Sequence, residues 1–271
     1  MAWLVRFGYD GTAFSGWAQQ PGLRTVEGDL RRGLVRAGVL PQGSARGLEV
    51  ASRTDRGVSA RANALKLISK LSGSSLLRLL NGFSSEIFFS AAVEVPDGFR
   101  VRQATRRVYR YFEAAPIGGV NLWSRAAKSL TGRIDVRSFG RRIPPETPCW
   151  RTVESVSIRA IRQGAVIEIR APSFVWGMIR KMIGAMREHG AGRLSLPELD
   201  AAVNGEKTLH LPLAEPERLV LWRVEYPFRW EVFCVTPNRN QTTWARRERE
   251  GVWVRGQVLR ALARDESLRR E

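Results

Sequence analysis

The sequence predicts an α+β protein, and three observations carry that reading. Through the first hundred residues, alternating apolar segments take turns with segments whose apolar residues recur at helical spacing. A strand-like segment at 108–114 opens a second stretch with the same mixture, so two α+β halves are expected. Hydrophobic residues make up 44% of the 271, enough to bury a sizeable core.

Residues 3–9, WLVRFGY, read as a strand that ends in the polar loop DGTAFSGWAQQPG. Thr25 caps a helix in which Val26, Leu30 and Leu34 share a face opposite arginines. LEVAS (48–52) is expected to be a short strand, with ANALKLIS (62–69) as its partner. A helix at 74–83 and a strand at 86–95 follow. The apolar content thins between 115 and 150, where Gly118, Gly119, Pro144, Pro145 and Pro148 mark loops. A hairpin is expected at 153–161 and 165–171, turning at Gln163-Gly164. The longest helix is expected at 174–190, with Val175, Ile179, Met182, Ile183 and Met186 as its apolar stripe. Ser195 caps a short helix over 195–205, and 219–226 reads as a strand. The last forty residues are Arg-rich, with a helix-like run at 251–265. The expected organisation is an N-terminal half (1–105), a C-terminal half (106–230) and a basic C-terminal extension (231–271).

Charge sets the class of partner. Lys and Arg number 44 against 26 Asp and Glu, a formal net charge of +18. Such an excess repels itself unless a polyanion uses it, so nucleic acid is the first candidate partner and an anionic membrane surface the second. No run of 18 apolar residues exists to span a membrane, and the first residues, MAWLVRFGYDGT, lack the apolar core of a signal peptide. The chain reads as cytoplasmic. Its two cysteines, Cys149 and Cys234, form no CxxC pair, so neither a zinc site nor a disulfide framework is expected. With only His189 and His210, chemistry run on a histidine base is not expected either.

The stretch ASRTDRGVSA (51–60) sets one carboxylate, Asp55, between Arg53 and Arg56. If the chain is extended here, Arg53 and Asp55 point to the same side, and the guanidinium would hold the carboxylate's charge and rotamer. Two readings stay open on spacing alone: an ordinary ion pair, or a carboxylate kept charged to attack an activated carbon. Tyr109 on its strand and Arg180 with Lys181 on the long helix are by themselves ordinary strand and solvated-face residues. Trp17, Trp176 and Trp222 read as packing, and Met178, Met182 and Met186 as core or dimer packing.

SRTDRGVSA resembles the GRTDxGVxA motif of the TruA family of tRNA pseudouridine synthases. The resemblance extends along the chain. YDGTAFSGWAQQ (9–20) and TVEGDL (25–30) are similar to the family's N-terminal segments, and RRVYRYF (106–112) to its RxYRY segment. SFVWGMIRKMIG (173–184) is similar to its FLxxMVRxxVG helix and PERLVLWRVEY (216–226) to its late strand. These segments keep the family's order and cover most of the chain.

The resemblance implies the pseudouridine synthase fold: two α/β-sandwich halves, a central mixed, mainly antiparallel sheet and a basic active-site cleft. It implies Asp55 as nucleophile, Arg53 as its partner and Tyr109 as the ring packed against the target uracil. Arg180 with Lys181 would border the cleft, and Leu219 would close the base pocket. It implies a homodimer acting on tRNA positions 38–40, in the anticodon stem-loop, with no redox, metal or nucleotide cofactor. Ser52, Arg56 and Ser59 depart from the commonest form, and the form SRTDxGVSA resembles that of the archaeal and eukaryotic branch. Gly177 and Arg218 also depart, on the side expected to face RNA, and Arg56 is a candidate phosphate contact beside the nucleophile. A synthase acting on another tRNA position, and a tRNA-binding protein of this fold without activity, remain open. So does the route, since a carboxylate can add to the base, add to the anomeric carbon, or remove a ribose proton.

Overall fold

The computed structural model describes residues 1–41, 48–144 and 148–230. The basic extension with its helix-like run and Cys234, and Pro145, lie outside the described residues. The described residues divide into two compact units, one holding those of 1–105 with 220–230 and the other those of 106–219.

In the first unit, strand β1 (Ala2–Tyr9) runs between β2 (Ser59–Ile68) and β3 (Ile87–Val95), antiparallel to both. All but one of its residues are buried, as a near-continuous apolar run requires of a central strand. The ninth strand, β9 (Leu219–Glu225), joins β2 in parallel through Ser59 opposite Val220 and Ala60 opposite Leu221. The sequence grouped this segment with the second half; its residues from Val220 cluster with the first unit.

Helix α1 (Val26–Arg36) starts as expected, with the Thr25 hydroxyl accepting from the Gly28 amide. Its buried Glu27 accepts from the amides of Gln19 (3.1 Å) and Leu48 (2.8 Å), tying two loops to its first turn. Helix α2 (Gly73–Asn81) is fixed to β3 by the Asn81 side chain, which bonds both the N–H and the C=O of Phe89 at 2.9 Å.

The expected strand at 48–52 reduces to one bridge, Val50 to Leu65. The reason is local. The Ala51 amide bonds the Ala64 carbonyl, but at Ser52 the Asn63 side chain takes over, accepting from its N–H and donating to its C=O. The side chain replaces a ladder partner, and the chain leaves the sheet there.

In the second unit, β4 (Arg106–Glu113) pairs antiparallel with β8 (Gly164–Ala171), and β8 with β7 (Ser155–Ile161). The β7–β8 turn falls at Gly164, φ +131°, as the hairpin signal indicated. Strands β5 (Gly132–Asp135) and β6 (Trp150–Val153) form a separate antiparallel pair.

Helix α3 (Gly119–Ser129) occupies part of the stretch read as loops. Its buried residues, Trp123, Ala126 and Ala127, are spaced for one helix face, but two are alanines and carry little apolar signal. Helix α4 (Met178–Gly190) is shorter than expected, because Gly177 adopts φ +78° as its N-cap and leaves Val175 outside. Ile179, Met182, Ile183 and Met186 are buried as the stripe predicted, and Met178 with them, so the methionines are core. Helix α5 (Leu196–Val203) opens with a capping box between Ser195 and Glu198. Among the described residues no helix is long and apolar enough to cross a membrane.

Glu27→Ala removes the partner of two backbone amides and is expected to lower stability by about 2 kcal/mol in urea denaturation, with Glu27→Gln intermediate.

Candidate active site

The segment Ser52–Val58 is irregular chain and a turn that leads into β2, so its buried backbone groups need partners from elsewhere. At Thr54 the carbonyl accepts from the Trp17 amide at 3.0 Å and the hydroxyl meets the Tyr9 hydroxyl at 2.7 Å. The Asp55 carbonyl accepts from the Val58 amide at 3.1 Å, and Gly57 in that turn has φ +83°, which a side chain disfavours. The Ser59 hydroxyl accepts from the Gly11 amide at 3.0 Å.

Two glycines of the YDGT–SGW loop lie against this segment. A Cβ on Gly11 would stand 2.1 Å from the Val58 carbonyl oxygen. One on Gly16, φ +93°, would stand 3.1 Å from the Arg56 amide nitrogen and 3.2 Å from the Thr54 carbonyl oxygen. The first loop is a mould for the second. Thr54, Gly57 and Val58 are buried, Arg53 and Arg56 are exposed, and Asp55 lies between, partly accessible.

The expected Arg53–Asp55 ion pair is not formed: Arg53 is exposed and, among the described residues, makes no ion pair with Asp55. The i, i+2 argument needs an extended strand, and Asn63 has already turned the chain out of the sheet at Ser52.

In the second unit Tyr109 sits on β4 opposite Ile169, nearly buried, with the Phe174 ring edge-on at 5.5 Å. Arg180 is half-buried; its Nε donates to the Ala214 carbonyl while its own carbonyl accepts from the Ala214 amide. Lys181 donates its ammonium to the carbonyls of Ser138 (3.1 Å) and Gly140 (2.9 Å). Burial and the nearby Arg141 guanidinium both lower its pKa. Its charge thus holds the 138–140 segment against α4, a task the sequence did not indicate. Leu219 is buried at the start of β9, next to the residue that pairs with Ser59.

Tyr111 and Glu113 follow Tyr109 on the same face of β4. Glu113 accepts from Arg187 at 2.6 Å and from Arg218 at 2.7 Å. Glu215 accepts from the Tyr111 hydroxyl at 2.8 Å and pairs with Arg187 at 2.7 Å. Burial raises the Glu215 pKa, but the Tyr111 hydroxyl and Arg187 outweigh it and hold the carboxyl at about 2. Burial drives the Tyr111 hydroxyl far above its ordinary value. Arg218, singled out as a departure facing RNA, is thus engaged by an acid within its own unit.

The family model for tRNA pseudouridine synthase matches residues 126–227. The chain is also 35% identical to tRNA pseudouridine synthase A of Thermococcus kodakarensis, over 84% of its own length and 85% of that protein's. The chain belongs to the tRNA pseudouridine synthase family. It is therefore an isomerase of the class that converts uridine to pseudouridine. The protein of the same name from Thermococcus onnurineus is 36% identical over 83% of this chain and 85% of its own. That from Methanoculleus marisnigri is 31% identical over 82% and 81%.

The synthase's loop supports were not singled out from sequence. Asn63 was readable only as a polar residue at an otherwise apolar position of a strand, and Tyr9 and Trp17 as core aromatics.

Gly11→Ala in this synthase forces backbone to move and is expected to lower the melting temperature by several degrees, roughly the effect of a 2–3 kcal/mol core defect in calorimetry. Glu215 titrates lower folded than unfolded, so its contribution is present above its ordinary value of 4.5 and is lost as pH falls toward 2. Its side chain is 50% exposed, so solvent screens that contribution. Acid denaturation should show a shallower loss of stability over that window in Glu215→Gln than in the parent.

Proposed function

We propose that this chain isomerises uridine to pseudouridine in the anticodon stem-loop of tRNA, at positions 38–40, with Asp55 as the nucleophile. One observation carries this reading. Asp55 is a partly accessible carboxylate on a loop whose backbone is bonded by Trp17 at Thr54 and by Asn63 at Ser52, and whose Thr54 and Ser59 side chains are bonded by Tyr9 and by the Gly11 amide. A carboxylate aimed by buried contacts and open to a ligand suits attack on a base that has left its stack.

The reaction is balanced within the nucleoside. The bond between uracil N1 and ribose C1′ breaks, the base turns, and C5 joins C1′. C5 loses its proton and N1 gains one. Asp55 supplies the carboxylate for this rearrangement. Tyr109, held edge-on by Phe174, packs against the uracil and replaces its lost stacking, and Leu219 closes the pocket. Arg180 borders the cleft, its side chain held by Ala214. The net charge of +18 attracts the tRNA, and exposed Arg53 and Arg56 flank the carboxylate as phosphate contacts. The resemblance to the family supports a homodimer working in the cytoplasm, where its tRNA substrate is.

Asp55→Asn, nearly isosteric, is expected to abolish pseudouridine in an unmodified tRNA transcript while tRNA affinity stays within a few-fold. Pseudouridine formed at a rate comparable to the parent's would overturn the assignment. Mapping the modified positions in the parent reaction tests the site: pseudouridine outside 38–40 assigns another.

A further inference from the structure

Trp176 is the aromatic residue that the packing reading explains least. It is 45% exposed, whereas Trp17 and Trp123 are buried. Two guanidiniums lie over its ring, Arg141 at 4.7 Å from the centroid and Arg142 at 5.9 Å. Neither arginine has a carboxylate partner among the described residues. Arg142 is also, among the described residues, the one non-glycine with a left-handed backbone, φ +44°.

The group is built into the fold. The Arg141 amide bonds the Trp176 carbonyl at 2.8 Å, joining two loops. Lys181 fastens the segment just before Arg141 to α4 through Ser138 and Gly140. Gly177 lets Arg141 lie close, since a Cβ there would stand 2.8 Å from its Cγ. That accounts for the glycine that departs from the family pattern. Phe174, two residues before Trp176, is the ring packed on Tyr109.

We propose that Trp176, Arg141 and Arg142 form a stacking subsite for an unpaired nucleotide of the RNA next to the target uridine. The inference rests on the function proposed above. An indole that is 45% exposed offers ring surface to a base, and two guanidiniums with no carboxylate partner among the described residues offer charge to its phosphate. A flat, anionic ligand satisfies both; an apolar or cationic partner satisfies only one or neither. Phe174 and Trp176 lie on one short segment, so the base at Tyr109 and its neighbour would be held by the same piece of chain.

The test measures equilibrium binding of an unmodified tRNA transcript to Asp55→Asn protein, so that no turnover occurs, at about 50 and 200 mM salt. Adding Trp176→Leu keeps an apolar side chain without a ring, and should weaken binding about tenfold at both salts. Trp176→Phe keeps a ring and should bind within about threefold of its parent. Arg142→Gln should reduce the salt slope by about one. If Leu and Phe bind alike, or all variants bind within about twofold of the parent, the subsite is overturned. Pseudouridine formation by the unsubstituted chain reports on the parent reading separately, so the two fail independently.

Discussion

The structure depends on one constraint: a carboxylate must stand on irregular chain while the backbone beside it is kept from water. Buried peptide groups outside a helix or sheet cost free energy unless something else bonds them. Here Asn63 and the Trp17 amide bond the peptide groups, and side-chain bonds at Thr54 and Ser59 add to them. Asn63 reaches from β2 to both polar groups of Ser52. Tyr9, from the end of β1, and the Trp17 amide hold Thr54. Gly11 donates to Ser59. Once these bonds are made, the chain on both sides of Asp55 is held. Gly11 and Gly16 are required because the two loops touch backbone to backbone, where a methyl group has no place.

The second unit meets a similar need with charge. The segment from Ala214 to Arg218 leads into β9 and has only a short 3-10 turn of its own. Ala214 exchanges two hydrogen bonds with Arg180, Glu215 is held by Tyr111 and Arg187, and Arg218 by Glu113. The Glu113 side chain is only 5% exposed and has two arginines on it. Losing one partner of such a buried pair costs about 3–5 kcal/mol, whereas an exposed pair such as Lys207–Glu198 is screened by water. The contacts that matter for placing Leu219 are therefore the buried ones. This also reassigns two cations. Arg218 and Lys181 serve the protein's own acid and carbonyls, while Arg141 and Arg142 carry charge with no internal acid among the described residues.

Most strands and helices were legible because their apolar residues are large and regularly spaced. Central β1, the α4 stripe and the Ser195 cap all follow from periodicity and cap chemistry. Helix α3 was missed because alanines form much of its buried face. The strand at 48–52 was overcalled because nothing in LEVAS reveals that Asn63 will displace its ladder. At the site, the motif singled out Asp55, but the Arg53 pairing did not survive, since it assumed a strand where the chain is a turn.

The sequence by itself determined the α+β class, the family, the excess of positive charge and the one carboxylate in its motif. Those properties live in residue type, local order and short-range periodicity. Tertiary structure alone decided which arginines are engaged and which tryptophans are exposed. It also decided that β9 returns to pair with β2, and that Tyr9, Trp17 and Asn63 hold the Asp55 loop. These depend on contacts between residues far apart in the chain, such as Tyr9 with Thr54 and Glu113 with Arg218. A hydrogen bond is set by distance and direction in space, and local sequence carries neither.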